Sequence, residues 1–593
     1  MTTNNDNVPD EECDYLIIGG GACGMAFCDT LLGNAPDNSN LRVIVVDKHD
    51  SPGGQWHDSY DFVRLHQPSS MYGVESKQLE EIVVPIATTS TNNDTNSCSS
   101  SEQQHTNTNA HRAKRSELLR YYADVQKDLE TNPNYNFEFL GNTTLDLAQL
   151  YESESIIRNP ACPREEYAYT YTVTNNTTGV ARTIRVRKRL VDARNLEPDL
   201  PVSTPPGFAF SADKISVVPV NDLVDNGNAN DTPLAKGKKH FVVIGGGKTG
   251  MDAVFHLLTE KNVSLDDLLW VVPNDAWITA RENIGNCIDL LYTSAKLFDE
   301  GYHSSTTTSN SSSTRTSSDK ESQEKKESDN DTPNDTTTTK TGITDDFFQR
   351  GFLEWEKQGH VYRLAPSVVP TKFKDATLSR NELTVLQTAV PRMVRGHRIS
   401  EITDRGRLVF VGNDDNSDSD NKNKHGFDLP FPVEETLFVH CSAGAFHCSK
   451  SKKSPPPIFE GRRIVVQDIY GTPGYCFVGS MLGKLESLTG LSDEARNAMA
   501  KTPSRPSLLA PSLTTSEEQD DTTKPKSGGD VVGAVTRDHP FLQRAHNLKL
   551  WLEHPELRRW IFESRLFHLA DRDPATLSDQ VELIFEILEK NGI

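Results

Sequence analysis

Two runs of glycine stand where an apolar stretch gives way to a helical one. Gly19-Gly20-Gly21-Ala22-Cys23-Gly24 follows Tyr15-Leu16-Ile17-Ile18, and Gly245-Gly246-Gly247-Lys248-Thr249-Gly250 follows Phe241-Val242-Val243-Ile244. Both fit G-x-G-x-x-G, whose glycines make a tight turn, admit a pyrophosphate close to the backbone and let helix pack on strand. The ligand's negative charge then meets the unpaired N–H groups of a helix N-terminus. Two such loops a domain apart are what a flavoprotein needs to hold FAD in one site and a nicotinamide in another. The chemistry they point to is redox.

Other residues take roles around these loops. Asp47, ending the second strand of the first fold, is placed to accept the ribose hydroxyls of an adenosine. Lys48 follows it, and Gly53-Gly54-Gln55-Trp56 predicts a backbone passing close beside the cofactor, with the indole either near the flavin or in the core. In the second fold the position matching Asp47 is Pro273, while Lys248 lies in the loop and Arg281 further on. A missing acid with basic groups nearby favours NADPH over NADH. Arg64, His66 and Gln67, with Tyr72 nearby, form the candidate catalytic cluster: Arg holds an anion, and His titrates near neutrality. No His, Cys or acid spacing suggests a metal site.

The elements that must position these residues are legible as a pattern. Helices are expected over Met25–Leu32 and from Gly250 to Glu260. Strands are expected over Leu41–Val46, Arg187–Val191, Leu268–Val272 and Glu435–His440. Strand, loop, helix, strand is the opening of a doubly wound sheet. The fold class is α/β, with two Rossmann-like dinucleotide-binding domains, for FAD and NAD(P), and disordered low-complexity insertions.

The expected division has a disordered tail (1–12) and the first part of the FAD domain (13–200). A NAD(P)-binding and substrate region (201–410), an FAD return segment (411–500), a linker (502–529) and a C-terminal helical segment (530–593) follow. In that last segment Thr576-x-x-Asp579 is a candidate cap for the final helix. Polar tracts at 88–109, 303–341, 413–425, 450–457 and 502–529 have too few apolar side chains to offset chain ordering and are expected to be disordered.

Composition bounds the partners. The 593 residues include 84 acidic and 62 basic side chains, a formal net charge of −22, which argues against nucleic acid or an anionic membrane surface. No apolar run reaches the roughly 20 residues of a membrane span. The polar, acidic start lacks the plan of a secretory signal, and the nine cysteines show no CxxC pair. A cytoplasmic protein acting on a small-molecule substrate is expected.

A resemblance extends these readings. Asp47-Lys48 followed by Gly53-Gly54-x-Trp56 is similar to a pattern of class B flavin monooxygenases and related FAD/NAD(P)-binding oxidoreductases. A bacterial and fungal FAD/NAD(P)-binding oxidoreductase family is similar more widely. The shared stretches are Asp61-Phe62-Val63-Arg64-Leu65-His66-Gln67-Pro68-Ser69, Gly246-Gly247-Lys248-Thr249-Gly250-Met251-Asp252 and Pro273-x-Asp275-Ala276-Trp277. Shorter ones recur at Val191-Asp192-Ala193, Thr377-Leu378-Ser379-Arg380, Cys441-Ser442-Ala443 and Pro555-Glu556-Leu557.

The resemblance implies an FAD- and NAD(P)H-dependent, monooxygenase-like oxidoreductase. Three departures qualify it. The FxGxxxHxxx(Y/F) fingerprint is missing, its region reading Gly207-Phe208-Ala209-Phe210-Ser211. Cys23 and Cys28 have the spacing of a redox pair, but Cys23 lies inside the phosphate loop. Gly479-Ser480 occupies the region where many flavoproteins have a Gly-Asp and a helix start. The alternatives are a reductase or dehydrogenase without oxygen insertion, and a nucleotide-binding scaffold without turnover.

Overall fold

The computed structural model describes residues 11–36, 39–79, 112–145, 169–223, 237–284, 352–411, 426–443, 456–470, 474–502, 540–567 and 574–590, with positions 288, 292, 295 and 296. The tracts at 88–109, 303–341 and 413–425 lie outside the described residues, as do 450–455 and 503–529.

Strand β1 (Glu11–Ile18) is buried without a break from Cys13 to Ile18, as a parallel strand covered on both faces must be. It lies between β2 (Arg42–Val46) and β6 (Ala181–Asp192), both parallel to it. Beyond them are β3 (Asn136–Leu140) and β20 (Arg463–Val465), also parallel, and the short antiparallel β19 (Phe459–Glu460) closes that edge. An antiparallel ribbon of β4 (Thr143–Leu145) and β5 (Thr170–Asn175) pairs with the amino half of β6. The strand expected over Arg187–Val191 is thus part of the carboxyl half of a longer one, buried at Leu190 and Val191.

The second sheet is all parallel, in the order β14 (Met393–Arg395), β10 (Leu268–Val272), β9 (His240–Ile244), β18 (Thr436–His440), β8 (Val217–Pro219). The strand read at Glu435–His440 therefore belongs to the second fold. The return expected from residue 411 begins instead at β19, because an apolar run does not say which sheet it joins. Two small sheets flank this fold: β11 (Ala276–Ala280), β12 (Val361–Tyr362) and β13 (Lys372–Leu378) in one, β7 (Ala209–Phe210), β15 (Ile399–Ile402), β16 (Leu408–Phe410) and β17 (Gly426–Phe427) in the other.

Helix α1 (Ala22–Gly33) follows the first glycine loop, α2 (Arg115–Thr131) precedes β3, and α3 (Lys248–Thr259) follows the second loop. Further on are α4 (Arg380–Thr388), α5 (Tyr475–Ser487) and α6 (Asp493–Met499). The tail forms α7 (Pro540–Glu553), α8 (Pro555–Glu563) and α9 (Pro574–Lys590). Since α9 starts at Pro574, Thr576 lies in its first turn and not at the N-cap position, and proline suits the first helical position. No described helix is long and apolar enough to cross a membrane.

Helix α1 is buried from Cys23 to Leu32 because it is covered by α5 as well as by the sheet. That approach needs glycine. A Cβ on Gly479 would stand 2.3 Å from Cys23 O, and one on Gly483 2.6 Å from Phe27 O. The helix expected to begin at Gly479-Ser480 starts earlier, after Gly474 at φ 142°, and Gly479 serves helix packing. The acid that follows a strand at this end of the first sheet is Asp468, three residues beyond β20. One buried apolar cluster runs from Tyr15 and Val43 through Leu65 and Tyr72 to Val243 and Met251, so both folds share a core.

Candidate functional site

The first loop is shaped by what its glycines leave out. Gly19 turns at φ 101°, and a Cβ on Gly24 would fall 1.9 Å from Gly19 O, so strand and helix close on each other there. The N–H of Gly20 donates to Asp47 Oδ2 at 2.6 Å. Gly21 is the N-cap of α1, extended and with no side-chain cap, which leaves the first N–H groups of the helix for an anion. The Gly53-Gly54 turn runs against this loop: Gly53 N–H donates to Gly20 O at 2.9 Å, and a Cβ on Gly54 would stand 2.8 Å from Gly21 Cα. The backbone close to Gly53 and Gly54 is that of the phosphate loop itself.

Asp47 is buried and holds several groups at once. Besides Gly20, it accepts from His49 N–H at 2.8 Å and faces His49 Nδ1 at 2.9 Å. Burial acts to raise its pKa, but these hydrogen bonds outweigh it, and the carboxyl is held below its ordinary value. Lys48 pairs with Glu197 at 2.8 Å. Gln55 is exposed, whereas Trp56 is buried and donates Nε1 to Tyr72 OH at 2.6 Å. Tyr122 OH donates in turn to Tyr72 OH at 3.0 Å. Arg115, heading α2, fixes the turn through Trp56 O and His57 O, at 2.7 and 2.6 Å.

The second loop repeats the first. Gly245 turns at φ 139°, its carbonyl accepts from Trp270 Nε1 at 2.8 Å, and a Cβ on Gly250 would stand 2.0 Å from it. Gly247 is the uncapped N-cap of α3, and a Cβ there would meet nothing within 4 Å. Lys248 does not reach into that space; its Nζ pairs with Asp252 one turn on. Tyr60, from the first fold, donates to the other oxygen of Asp252 at 2.7 Å, and Thr249 bonds to the same hydroxyl.

The segment from Tyr60 to Tyr72 therefore lies between the loops, and the predicted cluster sits on it. Arg64 bridges to Lys114, with Leu65 N–H on Ala113 O at 3.0 Å. The carbonyl of His66 accepts from Arg281 Nε at 2.7 Å. Gln67 reaches the start of α5, where a Cβ on Gly474 would stand 2.8 Å from its Nε2. Burial, with Lys248, Arg281 and Arg112 adding to it against Asp252, lowers the His66 pKa to about 3. At neutral pH the imidazole is uncharged.

Arg281 is not turned to a nucleotide phosphate. Its Nη1 pairs with Glu382, and its Nη2 donates to Thr377 O at 3.0 Å. Arg112 Nη2 lies 2.9 Å from the other Glu382 oxygen. Burial raises the Glu382 pKa, but Arg281, Arg112 and Lys248 together bring it down to about 2. Asp275, near the position matching Asp47, is likewise held, by Arg395 on the neighbouring strand β14.

Arg112 and Glu382 were not found from sequence. Ser379-x-x-Glu382 is a capping box that a sequence displays, and it forms, with Ser379 N–H donating to Glu382 Oε2 at 2.8 Å. No local pattern reveals that the same carboxylate also meets an arginine of the other fold.

This is an α/β architecture with a Rossmann-like domain at its head: residues 17–73 match the family described as NAD(P)-binding Rossmann-like domain. The uncharacterized protein Rv2000 of Mycobacterium tuberculosis is 25% identical over 566 residues, 95% of this chain and 79% of that protein. The uncharacterized protein Mb2023 of Mycobacterium bovis gives the same figures. Among solved structures, the OTEMO complex with FAD and NADP is 13% identical with a TM-score of 0.40, covering 81% of this chain and 85% of that one. A flavin-containing monooxygenase from Stenotrophomonas maltophilia is 11% identical with a TM-score of 0.39, covering 80% and 97%. These superpositions are loose.

Proposed function

We propose that this chain is an oxidoreductase that holds FAD on its first fold and NADPH on its second, and acts on a small organic substrate in the manner of a flavin monooxygenase. The observation that carries this reading is a pair of uncapped helix N-termini, each behind a glycine turn, with the segment that bears Arg64, His66 and Gln67 bonded to the second fold at Tyr60 and His66. Glycine is needed at Gly54, where a Cβ would meet the first loop at Gly21, and the space at Gly247 stands open, which supports a nucleotide at each loop.

Gly19, Gly20, Gly21, Gly24, Asp47, Lys48, Gln55 and Trp56 would hold the flavin nucleotide. Gly245, Gly247, Thr249 and Gly250 would hold the nicotinamide nucleotide, with Lys248 bearing on it through Asp252. A bound flavin supplies the acceptor for hydride and, once reduced, the electrons for the next step. The protein's own groups orient and exclude. His66, uncharged and fixed through its carbonyl by Arg281, offers a hydrogen-bonding imidazole at the seam; Gln67 sets the start of α5; Arg64 would hold an anion.

The test is anaerobic stopped-flow absorbance with NADPH and, separately, NADH. A flavin band near 450 nm that bleaches faster with NADPH supports the reading, and a colourless protein that cannot be reconstituted with FAD overturns it. The runner-up is a reductase that passes electrons to another acceptor. It is favoured by the stretch at 207–211, which has no histidine and lies at β7 in a small sheet. NADPH oxidation without oxygenated product across a broad substrate panel would select it.

A further inference from the structure

The carboxylate expected to take the adenosine ribose is not free to turn. At Asp47, Oδ1 accepts from His49 N–H at 2.8 Å and faces His49 Nδ1 at 2.9 Å, while Oδ2 accepts from Gly20 N–H at 2.6 Å. An ionised carboxylate offers about four acceptor sites, so about one remains here, on the oxygen that meets the phosphate loop. The other ring nitrogen, His49 Nε2, lies 3.0 Å from Asp58 Oδ2. Carboxylates only accept. A ring held by one at each nitrogen must donate twice, and only the imidazolium carries both N–H groups. Burial acts to lower the His49 pKa, but the bonds and charges of Asp47 and Asp58 outweigh it and hold the value above the ordinary 6.5.

Neighbours hold this ring in place. Asn142 N–H donates to His49 O and Thr143 N–H to Asp47 O, both at 2.7 Å. The His57 ring stacks on His49 with centroids 4.5 Å apart, and His57 Nε2 donates to Ser51 O at 3.0 Å. Lys48, paired with Glu197, stands 3.6 Å from the same Asp58 oxygen. The main chain of Asp58 is anchored to the second fold, its carbonyl accepting from Asn221 Nδ2 at 3.0 Å. Asp58 is thus a fixed outer post, and His49 carries its position across to Asp47.

We propose that His49 is a positioning residue for the flavin nucleotide: as an imidazolium shared between Asp47 and Asp58, it keeps the ribose-binding oxygen of Asp47 aimed, and FAD is held less tightly once His49 gives up its proton. A neutral ring has one N–H and turns a lone pair on the other carboxylate, so one of the two must move away. The form that holds FAD is fully present below pH 6.5 and is lost as pH rises through the higher native value. The proposal rests on the reading of the first loop as the FAD site.

The experiment is equilibrium release of FAD from the holoenzyme on serial dilution, read by flavin fluorescence from about pH 6 to about pH 9. At about pH 6, H49Q should hold FAD about tenfold or more weakly than the parent protein, the worth of one charge-assisted hydrogen bond. That ratio should fall toward one as pH rises. D58N, which leaves the ribose acid untouched, should move the parent's loss of affinity to lower pH. Parent-like binding by H49Q in acid, or a weakening that does not change with pH, would overturn the assignment. So would a pH profile that D58N leaves in place. If H49Q does not fold, the parent's profile and its displacement in D58N decide. Nuclear magnetic resonance of the imidazole nitrogens then reads directly whether both keep their protons at neutral pH, and a singly protonated His49 would overturn the proposal as well. A parent protein that holds no FAD at any pH overturns the flavin reading and this proposal with it, whereas each result above overturns the proposal alone.

Discussion

Gly20 shows how much a single missing side chain carries. Its N–H holds Asp47, and a Cβ would stand 2.6 Å from Cε2 of Phe139, on a ring that β3 fixes in place. G20A should therefore fold with a displaced loop and purify with little flavin, read as the ratio of absorbance at 450 and 280 nm; parent-like occupancy would contradict this. His66 gives a pH prediction. Its native pKa of about 3 lies below the ordinary 6.5, so between these values the unfolded chain binds the extra proton. Stability contributed by the neutral imidazole is present above pH 6.5 and is lost as pH falls toward 3. Urea midpoints measured from pH 7 to pH 5 should fall less steeply for H66Q than for the parent. The glycine turns were legible in sequence because a phosphate loop is written in consecutive residues. The commitment of Lys248 to Asp252 was not, since a lysine beside a phosphate loop looks the same whichever way it turns.

At the scale of elements, helix packing and strand pairing set the site. The contact of α1 with α5 has backbone against backbone at Gly479 and Gly483. G479A puts a methyl against Cys23 O, and overpacking of that kind costs about 1–3 kcal/mol. Chemical denaturation should register the loss, and flavin content should fall with it because α1 carries the phosphate loop.

The pairing of α4 with the first fold through Glu382 is the second such joint. E382Q strands two arginines, and breaking a buried pair costs about 3–5 kcal/mol. Because the Glu382 pKa lies near 2, below the ordinary 4.5, its contribution is present above pH 4.5 and is lost as pH falls toward 2. The gap between E382Q and the parent in thermal midpoint should therefore narrow in acid. Strand positions were readable to within a few residues from apolar runs. Which sheet β18 joins was not, because all five of its residues are buried whichever neighbour it takes.

For the whole molecule, the C-terminal helices reach back to the first fold. Arg565, following α8, donates to Ser70 O and Tyr72 O at 3.0 Å, to Lys77 O at 2.8 Å and to Val74 O at 2.9 Å. Ser564 bonds Glu75 at 2.6 Å. R565A should leave residues 70–77 less protected in hydrogen exchange while α1 and β1 keep their protection; unchanged protection at 70–77 would show that the tail only covers the core. The sequence offered helical spacing here, with nothing to say that one arginine would satisfy a loop 488 to 495 residues earlier in the chain.

The chain leaves the first sheet at the end of β6 and rejoins it at β19, which leads into β20, the strand beside β6, where Val466 N–H donates to Asp192 O at 2.9 Å. The second fold is thus tethered by two crossings gathered at one place, like a page on a spine. A turn of one fold on the other has its axis there, and it is opposed by Tyr60 on Asp252, Arg281 on His66 and Arg112 on Glu382. The groups that shape the seam are also the clasp that keeps it shut.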